Sequence, residues 1–329
     1  MLVMRNLQAG TSSFKGIGLN MFTPDELNTL HFATLDVLRH TGIKVESQSA
    51  LELFAEGGAD VDFLAKLVKI PAYMLEDAVH TAPSTIRLAA RNPQKDFIVE
   101  GARVGFVNFG EGVAIIDPVT REYRRSNKQD VADAARLSDY LDELDISYRA
   151  VTALDYDGKV QALHNAEALF NNTTKHFFIG SDGIANCRKI IAMAAEVAGG
   201  MEELRRRPII SFNVCPTSPL KLVPDCTDVI IESARAGIPV NIISMALAGA
   251  TTPVTLAGTL VTHNAEVLSA VILSQLAQKG APVLYGSSTT LMDLRYSTTP
   301  VGAPELGMIS AGVAKLARYY MLPSFVAGG

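Results

Sequence analysis

The chain has 329 residues, of which 48% are hydrophobic and only 19% are charged, so it can bury one large core or two ordinary ones. Its 34 acidic residues outnumber 29 Lys and Arg residues and leave a net charge of -5, which argues against a nucleic-acid-binding or membrane-binding surface. The chain has three scattered cysteines, no apolar leader and no uncharged apolar run of about 18 residues, so we expect a cytoplasmic protein without disulfides or a membrane span.

The first 125 residues combine helices with short strands. Thr23-Pro24-Asp25-Glu26 is a capping box with proline at the first helical position, and it predicts a helix that Gly42 ends. Two shorter helices are predicted over residues 48–56 and 72–81. Five short β-type runs follow between residues 85 and 125, separated by Gly, Asn-Pro and Asp-Pro, which indicates a small antiparallel sheet. Residues 1–125 are therefore expected to form an N-terminal α+β domain.

Beyond residue 125 the pattern changes to helices that alternate with short apolar strands. Strands are predicted to begin near residues 145, 175, 208, 239, 282 and 323, with a helical segment in each gap. This alternation is typical of βαβ units built around a parallel sheet, whose strands are apolar on both faces. We expect residues 126–329 to hold six such units.

Two architectures accommodate six βαβ units. An open doubly wound sheet is complete with six strands, whereas a (β/α)8 barrel needs eight. The segment "VTALDYDGKVQ" after the first strand lacks the Gly-x-Gly-x-x-Gly of a dinucleotide-binding sheet, and "GSDGIAN" lacks the Lys-Ser/Thr of a P-loop. We therefore expect a (β/α)8 TIM-type barrel, truncated after about six βα units, and keep an open-sheet nucleotide enzyme as the alternative.

The candidate site lies at the carboxyl ends of the predicted strands, where a barrel of this class binds its ligands. Small, neutral hydrogen-bonding residues dominate there, which is typical of a roomy cavity and unusual for a hydrolase or dehydrogenase. Cys215 either faces a cofactor from the end of its strand or is a buried, inert cysteine. The lining candidates are Asn213, Cys215, Ser218, Ser287, Ser288, Gly328 and Gly329.

His263 lies on a long helix predicted over residues 254–278. It either shares a face with Thr259 and Glu266 that looks into the site, or it is a half-buried helix residue that makes one hydrogen bond. No further His or carboxylate stands at ligand spacing from His263 and Glu266, so we expect no metal.

Two loops contribute the remaining candidates. Glu111 of "NFGEG" either reaches the site or belongs to a hairpin turn. Asp293 and Arg295 lie in a long loop after the fifth strand, where they either bind a substrate or partner or form a local ion pair.

Several stretches along the chain resemble the trimethylamine–corrinoid methyltransferase family: "NFGEG", "SFNVCPTSPL", "LPSFVAGG" and, most specifically, "ATTPVTLAGTLVTHNAE". The resemblance implies a (β/α)8 barrel that moves a methyl group from trimethylamine to the Co(I) corrinoid of a separate partner protein. The corrinoid would then be a cofactor that the cognate corrinoid protein supplies. Members without pyrrolysine act on quaternary amines such as glycine betaine, which is the alternative within the family.

The resemblance also implies a catalytic pyrrolysine directly after the "AGG" of the sixth strand. The chain stops at Gly329, where an amber codon read as a stop would end it, so we expect the truncated chain to be inactive, with strands one and six unpaired. A non-catalytic module that only binds the corrinoid protein remains a further alternative. We expect a homo-oligomer that serves methylamine-dependent methanogenesis or one-carbon metabolism.

Overall fold

The computed structural model describes residues 21–101 and 103–328. The α-helices of these residues, in chain order, are α1 (Pro24–Asp36), α2 (Gln48–Glu56), α3 (Ala72–Thr81), α4 (Lys128–Tyr140), α5 (Gly158–Asn172), α6 (Ile184–Ala198), α7 (Met201–Arg206), α8 (Pro224–Ala236), α9 (Leu256–Ala277) and α10 (Pro304–Tyr319).

The β-strands of the same residues are β1 (Ile43–Val45), β2 (Asp60–Asp62), β3 (Leu67–Lys69), β4 (Thr85–Leu88), β5 (Phe97–Glu100), β6 (Ala114–Ile116), β7 (Tyr123–Arg125), β8 (Ser147–Tyr148), β9 (Phe177–Ile179), β10 (Ile210–Val214), β11 (Lys221–Leu222), β12 (Val240–Ser244), β13 (Leu247–Ala248), β14 (Val283–Ser287), β15 (Thr290–Leu291) and β16 (Ser324–Val326).

One compact unit includes residues 86–101, 103–213 and 236–239. Its parallel strands β8, β9 and β10 pair in chain order, with Phe177 in register with Ser147 on one side and with Ile210 on the other. Helices α5 and α6 lie between these strands in the chain, and the Phe170 ring of α5 meets the Phe177 ring edge-on at 5.0 Å. Strand β9 is buried throughout, as expected for a parallel strand covered on both faces.

The second compact unit includes residues 21–85, 214–235 and 240–328. Its parallel strands β12, β14 and β16 also pair in chain order, with Val240 opposite Val283 and Tyr285 opposite Ser324. A small sheet with the strand order β11-β1-β3-β2 belongs to the same unit. Helix α9 packs against strands β12 and β14 and against helices α1, α2 and α3. Because neighbours cover α9 on both sides, most of its residues are buried.

Helix α9 is also long and apolar enough to cross a membrane by length and composition. In this structure 72% of its most apolar window is buried inside the protein, which is typical of a core helix. Among residues 21–101 and 103–328, α9 is the one helix that meets these criteria of length and composition.

The helix predictions for the N-terminal segment are confirmed. The capping box forms as expected, since the Thr23 side chain accepts a hydrogen bond from the Glu26 backbone and the Glu26 carboxylate accepts one from the Thr23 backbone. Helix α1 continues into a π-helical turn over Val37–Thr41, which Gly42 ends at a φ of +79°.

The six predicted strands of the βαβ segment are all present, three in each unit, and the α/β class with parallel strands is confirmed. The prediction of one small antiparallel sheet is wrong. Strand β4 pairs with β5 and strand β6 pairs with β7, in two separate two-stranded sheets. The expectation that the first strand has an unpaired edge is also wrong, because bridges join Val107 to Ile146 and Gly112 to Val151 along that edge. The division at residue 125 stays a prediction.

Candidate functional site

A buried arginine lies at the carboxyl end of β8 in the first unit. Arg149 is 3% exposed, and its guanidinium forms an ion pair with Glu111 and donates a hydrogen bond to Thr152 Oγ1 at 3.0 Å. Burial lowers the pKa of Arg149, and the negative charge of Asp182 opposes that shift. The Glu111 candidate therefore contacts a charged group at the end of a parallel strand, where the sequence predicts a site.

The "NFGEG" loop places Glu111 by running alongside β8. The backbone N–H of Glu111 donates to the carbonyl of Arg149 at 3.0 Å. A Cβ atom on Gly110 would lie 2.5 Å from the Tyr148 ring, so only glycine lets the loop pass this ring. Glu111 itself has a φ of +70°, a conformation that costs a non-glycine residue of order 1–3 kcal/mol. Backbone strain thus accompanies the ion pair.

Two residues after β9 complete this group. A Cβ atom on Gly180 would lie 3.6 Å from Glu111 Oε1 and 4.0 Å from the Arg149 guanidinium. Asp182 adopts a φ of +50°, again unusual for a residue with a side chain. We call Glu111, Arg149, Gly180 and Asp182 the Arg149 cluster; its two carboxylates and one guanidinium carry a net charge of −1. A site of this charge favours a small cation.

Strand β10 ends in two predicted candidates. The amide nitrogen and oxygen of Asn213 are buried, and neither has a hydrogen-bond partner among the described residues. Cys215 is exposed, so the expectation of a buried cysteine is wrong. Neighbouring protein atoms nevertheless desolvate its sulfur and raise the pKa of the thiol to about 11, so the reactive thiolate is scarce near neutral pH.

Helix α9 anchors the loops that follow the strands of the second unit. Thr259, His263 and Glu266 are spaced by four and three residues and lie on one face of the helix. Thr259 Oγ1 donates to the carbonyl of Pro253 at 2.9 Å, in the loop before α9. The predicted common face therefore exists, and its side chains hold loops in place.

Glu266 accepts three hydrogen bonds through its side chain. Its carboxylate accepts hydrogen bonds from Ser218 Oγ at 2.8 Å, from the Leu220 backbone N–H at 2.9 Å and from Ser244 Oγ at 2.7 Å. Burial raises the pKa of Glu266, and these three hydrogen bonds oppose the shift. The Ser218 hydroxyl is therefore committed to Glu266, which joins the loop after β10 to the end of β12.

His263 is fully buried, so the half-buried reading is wrong. Its Nδ1 lies 3.1 Å from Thr289 Oγ1, and its Nε2 has no partner among the described residues. Burial lowers the pKa of His263 to about 3, so the ring is neutral near neutral pH. Ser287 Oγ accepts from the Thr289 N–H at 3.1 Å, and the Ser288 N–H donates to the Ser244 carbonyl at 2.9 Å.

The long loop after β14 holds Asp293 and Arg295 without an ion pair between them. Asp293 Oδ1 accepts from the backbone N–H groups of Arg295 at 2.9 Å and Tyr296 at 3.2 Å, as in a turn. The Arg295 guanidinium lies 5.6 Å from the centre of the Tyr296 ring. Gly328 is exposed after β16, and Gly329 lies outside the described residues.

No group of three His, Cys, Asp or Glu residues within the described ranges is arranged as metal ligands are. The candidates fall instead into separate places: Glu111 in the Arg149 cluster of the first unit, and Ser218, His263, Ser287 and Ser288 on or near the anchoring face of α9 in the second.

The chain can be placed in a family by comparison with known proteins. Its residues 10–329 match the model of the family described as trimethylamine methyltransferase (MTTB). The chain belongs to this family. It is 59% identical over 323 residues to a trimethylamine methyltransferase MttB of Desulfitobacterium hafniense, an alignment that covers 98% of the chain and 65% of that protein.

Two other similar proteins differ in the substrate that they are named for. A trimethylamine methyltransferase MttB of Methanosarcina barkeri is 44% identical, with 99% of this chain and 67% of that protein aligned. A glycine betaine methyltransferase of Desulfitobacterium hafniense is 30% identical, with 94% of this chain and 64% of that protein aligned. The chain thus spans about two thirds of the length of these family members.

The fold of this family member resembles that of a monomethylamine methyltransferase (MtmB) from Methanosarcina barkeri. The two structures align with a TM-score of 0.52 over 92% of this chain and 65% of the other, at 14% sequence identity. At this identity the likeness supports the fold, and it favours the barrel over an open nucleotide-binding sheet.

Two buried polar residues of this family member are not among the candidates from the sequence. Arg149 stands in the predicted strand "DISYRAV", and its ion pair with a residue 38 positions away is visible only in the structure. Asn241 is a fully buried residue of β12 whose amide atoms have no partner among the described residues. The signal that the sequence offers for both is a polar residue within a predicted buried strand.

Proposed function

We propose that the full-length protein is a methyltransferase that moves a methyl group from trimethylamine to the Co(I) corrinoid of a separate partner protein. The observation that carries the proposal is the 59% identity, over 98% of this chain, to a protein named trimethylamine methyltransferase. The reaction would feed methylamine-dependent methanogenesis or one-carbon metabolism in the cytoplasm.

The charge of the Arg149 cluster supports an amine substrate. Protonated trimethylamine is a small cation, and the cluster carries a net charge of −1 at the carboxyl ends of two parallel strands. Because Arg149 is buried, its charge and that of Glu111 interact more strongly than exposed charges do. The contribution of these residues would be to attract and orient the amine, since the corrinoid supplies the nucleophile that takes the methyl group.

We extend the proposal to the fold, the oligomeric state and the other candidate site residues of the full-length protein. We expect the full-length protein to form an eight-stranded (β/α)8 barrel, of which this chain supplies six strands, and to work as a homo-oligomer. The expected pyrrolysine lies beyond the described residues and stays a prediction. Asn213 in the first unit stays a candidate for contact with the substrate or the corrinoid. The same holds, in the second unit, for Cys215, Asp293, Arg295 and Gly328.

Glycine betaine is the second candidate substrate. It is favoured by the 30% identity to a protein named glycine betaine methyltransferase. The greater identity to proteins named for trimethylamine, 59% and 44%, makes betaine the alternative.

The assay combines the full-length protein, its corrinoid protein reduced to Co(I), and trimethylamine. We expect dimethylamine and methylated corrinoid to form in equal amounts, measured by chromatography and by the corrinoid absorbance. If dimethylglycine forms from glycine betaine and no dimethylamine forms from trimethylamine, glycine betaine is the substrate. Turnover of neither amine would contradict both.

A further inference from the structure

We propose that Glu111 is a specificity-determining residue, because it occupies the Arg149 guanidinium and thereby denies that guanidinium to a carboxylate on the substrate. The site would accept amines without a carboxylate and reject betaines. This inference rests on the proposed function for the identity of the amine, but its central claim concerns Arg149 and Glu111 alone.

Arg149 has the properties of a carboxylate receptor. It is 3% exposed, and a buried guanidinium needs an anionic partner to offset the loss of water. Arginine binds carboxylates through two parallel hydrogen bonds, and such pairs are among the strong ones in proteins. Its Nε has no partner among the described residues, so part of its donor capacity is still unused.

Glu111 is the more exposed partner of the ion pair with Arg149. The Glu111 side chain is 42% exposed, whereas the Arg149 side chain is 4% exposed. Because Glu111 already pairs with the guanidinium, a ligand carboxylate would have to displace it to pair with Arg149 in the same way. The backbone hydrogen bond from the Glu111 N–H to the Arg149 carbonyl, at 3.0 Å, holds the two residues side by side.

This arrangement separates the two candidate substrates by charge. Glycine betaine carries both a quaternary ammonium and a carboxylate, whereas trimethylamine carries no anionic group. A substrate carboxylate near Arg149 would meet the negative charges of Glu111 and Asp182. Rejection through a repulsive group is a common way to achieve specificity. Removal of Glu111 should convert the same position into a carboxylate site.

The first experiment measures acetate binding to the full-length protein and its Glu111→Ala variant by calorimetry. We expect the variant to bind acetate at least about tenfold more tightly than the wild type, because acetate takes the place of the lost carboxylate. Acetamide, which has a similar shape and no charge, should show no such gain. Equal acetate binding by the wild type and the variant would overturn the proposal.

Glu100→Ala is the matched control. Glu100 pairs with Arg103 at 2.9 Å, and its side chain is also 42% exposed, but its arginine is 17% exposed and lies outside the Arg149 cluster. Acetate binding that rises as much in Glu100→Ala as in Glu111→Ala would show a general charge effect and overturn the proposal. If Glu111→Ala does not fold, Glu111→Gln removes the charge at nearly constant size and is expected to show a smaller gain of the same sign.

The second experiment compares kcat/KM for glycine betaine and for trimethylamine. We expect the ratio of the two to rise at least about tenfold in Glu111→Ala, as predicted for the loss of a repulsive charge. An unchanged ratio, in a variant that binds acetate, would overturn the role in specificity. A wild type that turns over neither amine would contradict the proposed function, while the acetate measurement would still decide the role of Glu111 over Arg149.

Discussion

At the scale of single residues, Gly286 shows how closely the polar residue of β12 is packed. A Cβ atom on Gly286 would lie 2.4 Å from Asn241 Oδ1 and 2.5 Å from the carbonyl oxygen of Ile242. The second of these atoms belongs to the backbone and cannot move aside as a side chain can. The absence of a side chain at Gly286 therefore lets the Asn241 amide and the backbone of β12 pack this closely against β14.

Gly286→Ala is predicted to lower the free energy of unfolding by about 1–3 kcal/mol, the usual cost of overpacking. Urea denaturation measures it. Gly307→Ala is the control, because Gly307 is an exposed residue of α10 where an added Cβ atom would meet no other atom within 4 Å, and it should gain up to about 1 kcal/mol from helix propensity. Equal stability of the two variants would contradict this account of Gly286.

The buried His263 makes the free energy of unfolding depend on pH. Its pKa is about 3 in the folded protein and 6.5 ordinarily, so the unfolded chain takes up the proton more readily. The stability that the neutral ring contributes is present above pH 6.5 and is lost as the pH falls from 6.5 towards 3. The loss should approach about 1.4 kcal/mol for each pH unit in that window.

His263→Gln removes this titration and leaves other histidines unchanged. The difference in unfolding free energy between the wild type and the variant should therefore shrink as the pH falls below 6.5. Urea denaturation at several pH values checks it, and a difference that stays constant between pH 7 and pH 5 would be inconsistent with a buried, neutral His263.

Single residues of the site were partly predictable from the sequence. Glu111 is a candidate from the sequence because "NFGEG" combines polar and glycine residues between two β-type runs. The burial of His263 was not predictable, because periodicity within α9 does not reveal that helices from the first 85 residues cover its outer face. Arg149 escaped for a similar reason, since its partner comes from a distant segment.

At the scale of elements, α9 is tied to its neighbours by one buried amide. Asn264 Nδ2 donates to Thr34 Oγ1 of α1 at 2.9 Å and to Tyr320 Oη after α10 at 2.9 Å. Asn264 Oδ1 accepts from Tyr285 Oη of β14 at 2.7 Å. One side chain thus satisfies three buried polar groups from three other parts of the unit.

Asn264→Leu should lower the free energy of unfolding by about 2–4 kcal/mol, because it removes the acceptor of the Tyr285 hydroxyl and a hydrogen bond to each of the other two buried hydroxyls. Asn28→Ala is the matched control. Asn28 accepts a hydrogen bond from Tyr319 Oη at 3.1 Å, but on the exposed side of α1, so its loss should cost about 0.5 kcal/mol or less. Thermal or urea denaturation measures both, and similar costs would argue against the importance of the buried network.

Helices and parallel strands were the elements best predicted from the sequence. Local signals specify them, such as the Thr23–Glu26 capping box and the apolar runs of β10, β12 and β14. The two-residue strands β11, β13 and β15 were missed, because each exists only through pairing with a separate segment. Side-chain alternation over two residues carries no pattern that a reader of the sequence can detect.

At the scale of the whole molecule, the chain is a family member that spans about two thirds of its relatives' length. The alternation of strands and helices sufficed to predict the α/β class. Family membership was recognisable because motifs such as "ATTPVTLAGTLVTHNAE" occur on α9 and the loop before it, and the side chains of this region hold the neighbouring loops in place. The substrate was not predictable from the alternation of strands and helices, because this pattern specifies the fold and carries no information about the ligand.

We propose above that the full-length protein is a trimethylamine methyltransferase. The most direct test is the ratio of kcat/KM for trimethylamine to kcat/KM for glycine betaine, measured with the full-length protein and its reduced corrinoid protein. We expect a ratio well above one, and of at least about a hundred if a charged group rejects the betaine. A ratio below one would contradict it.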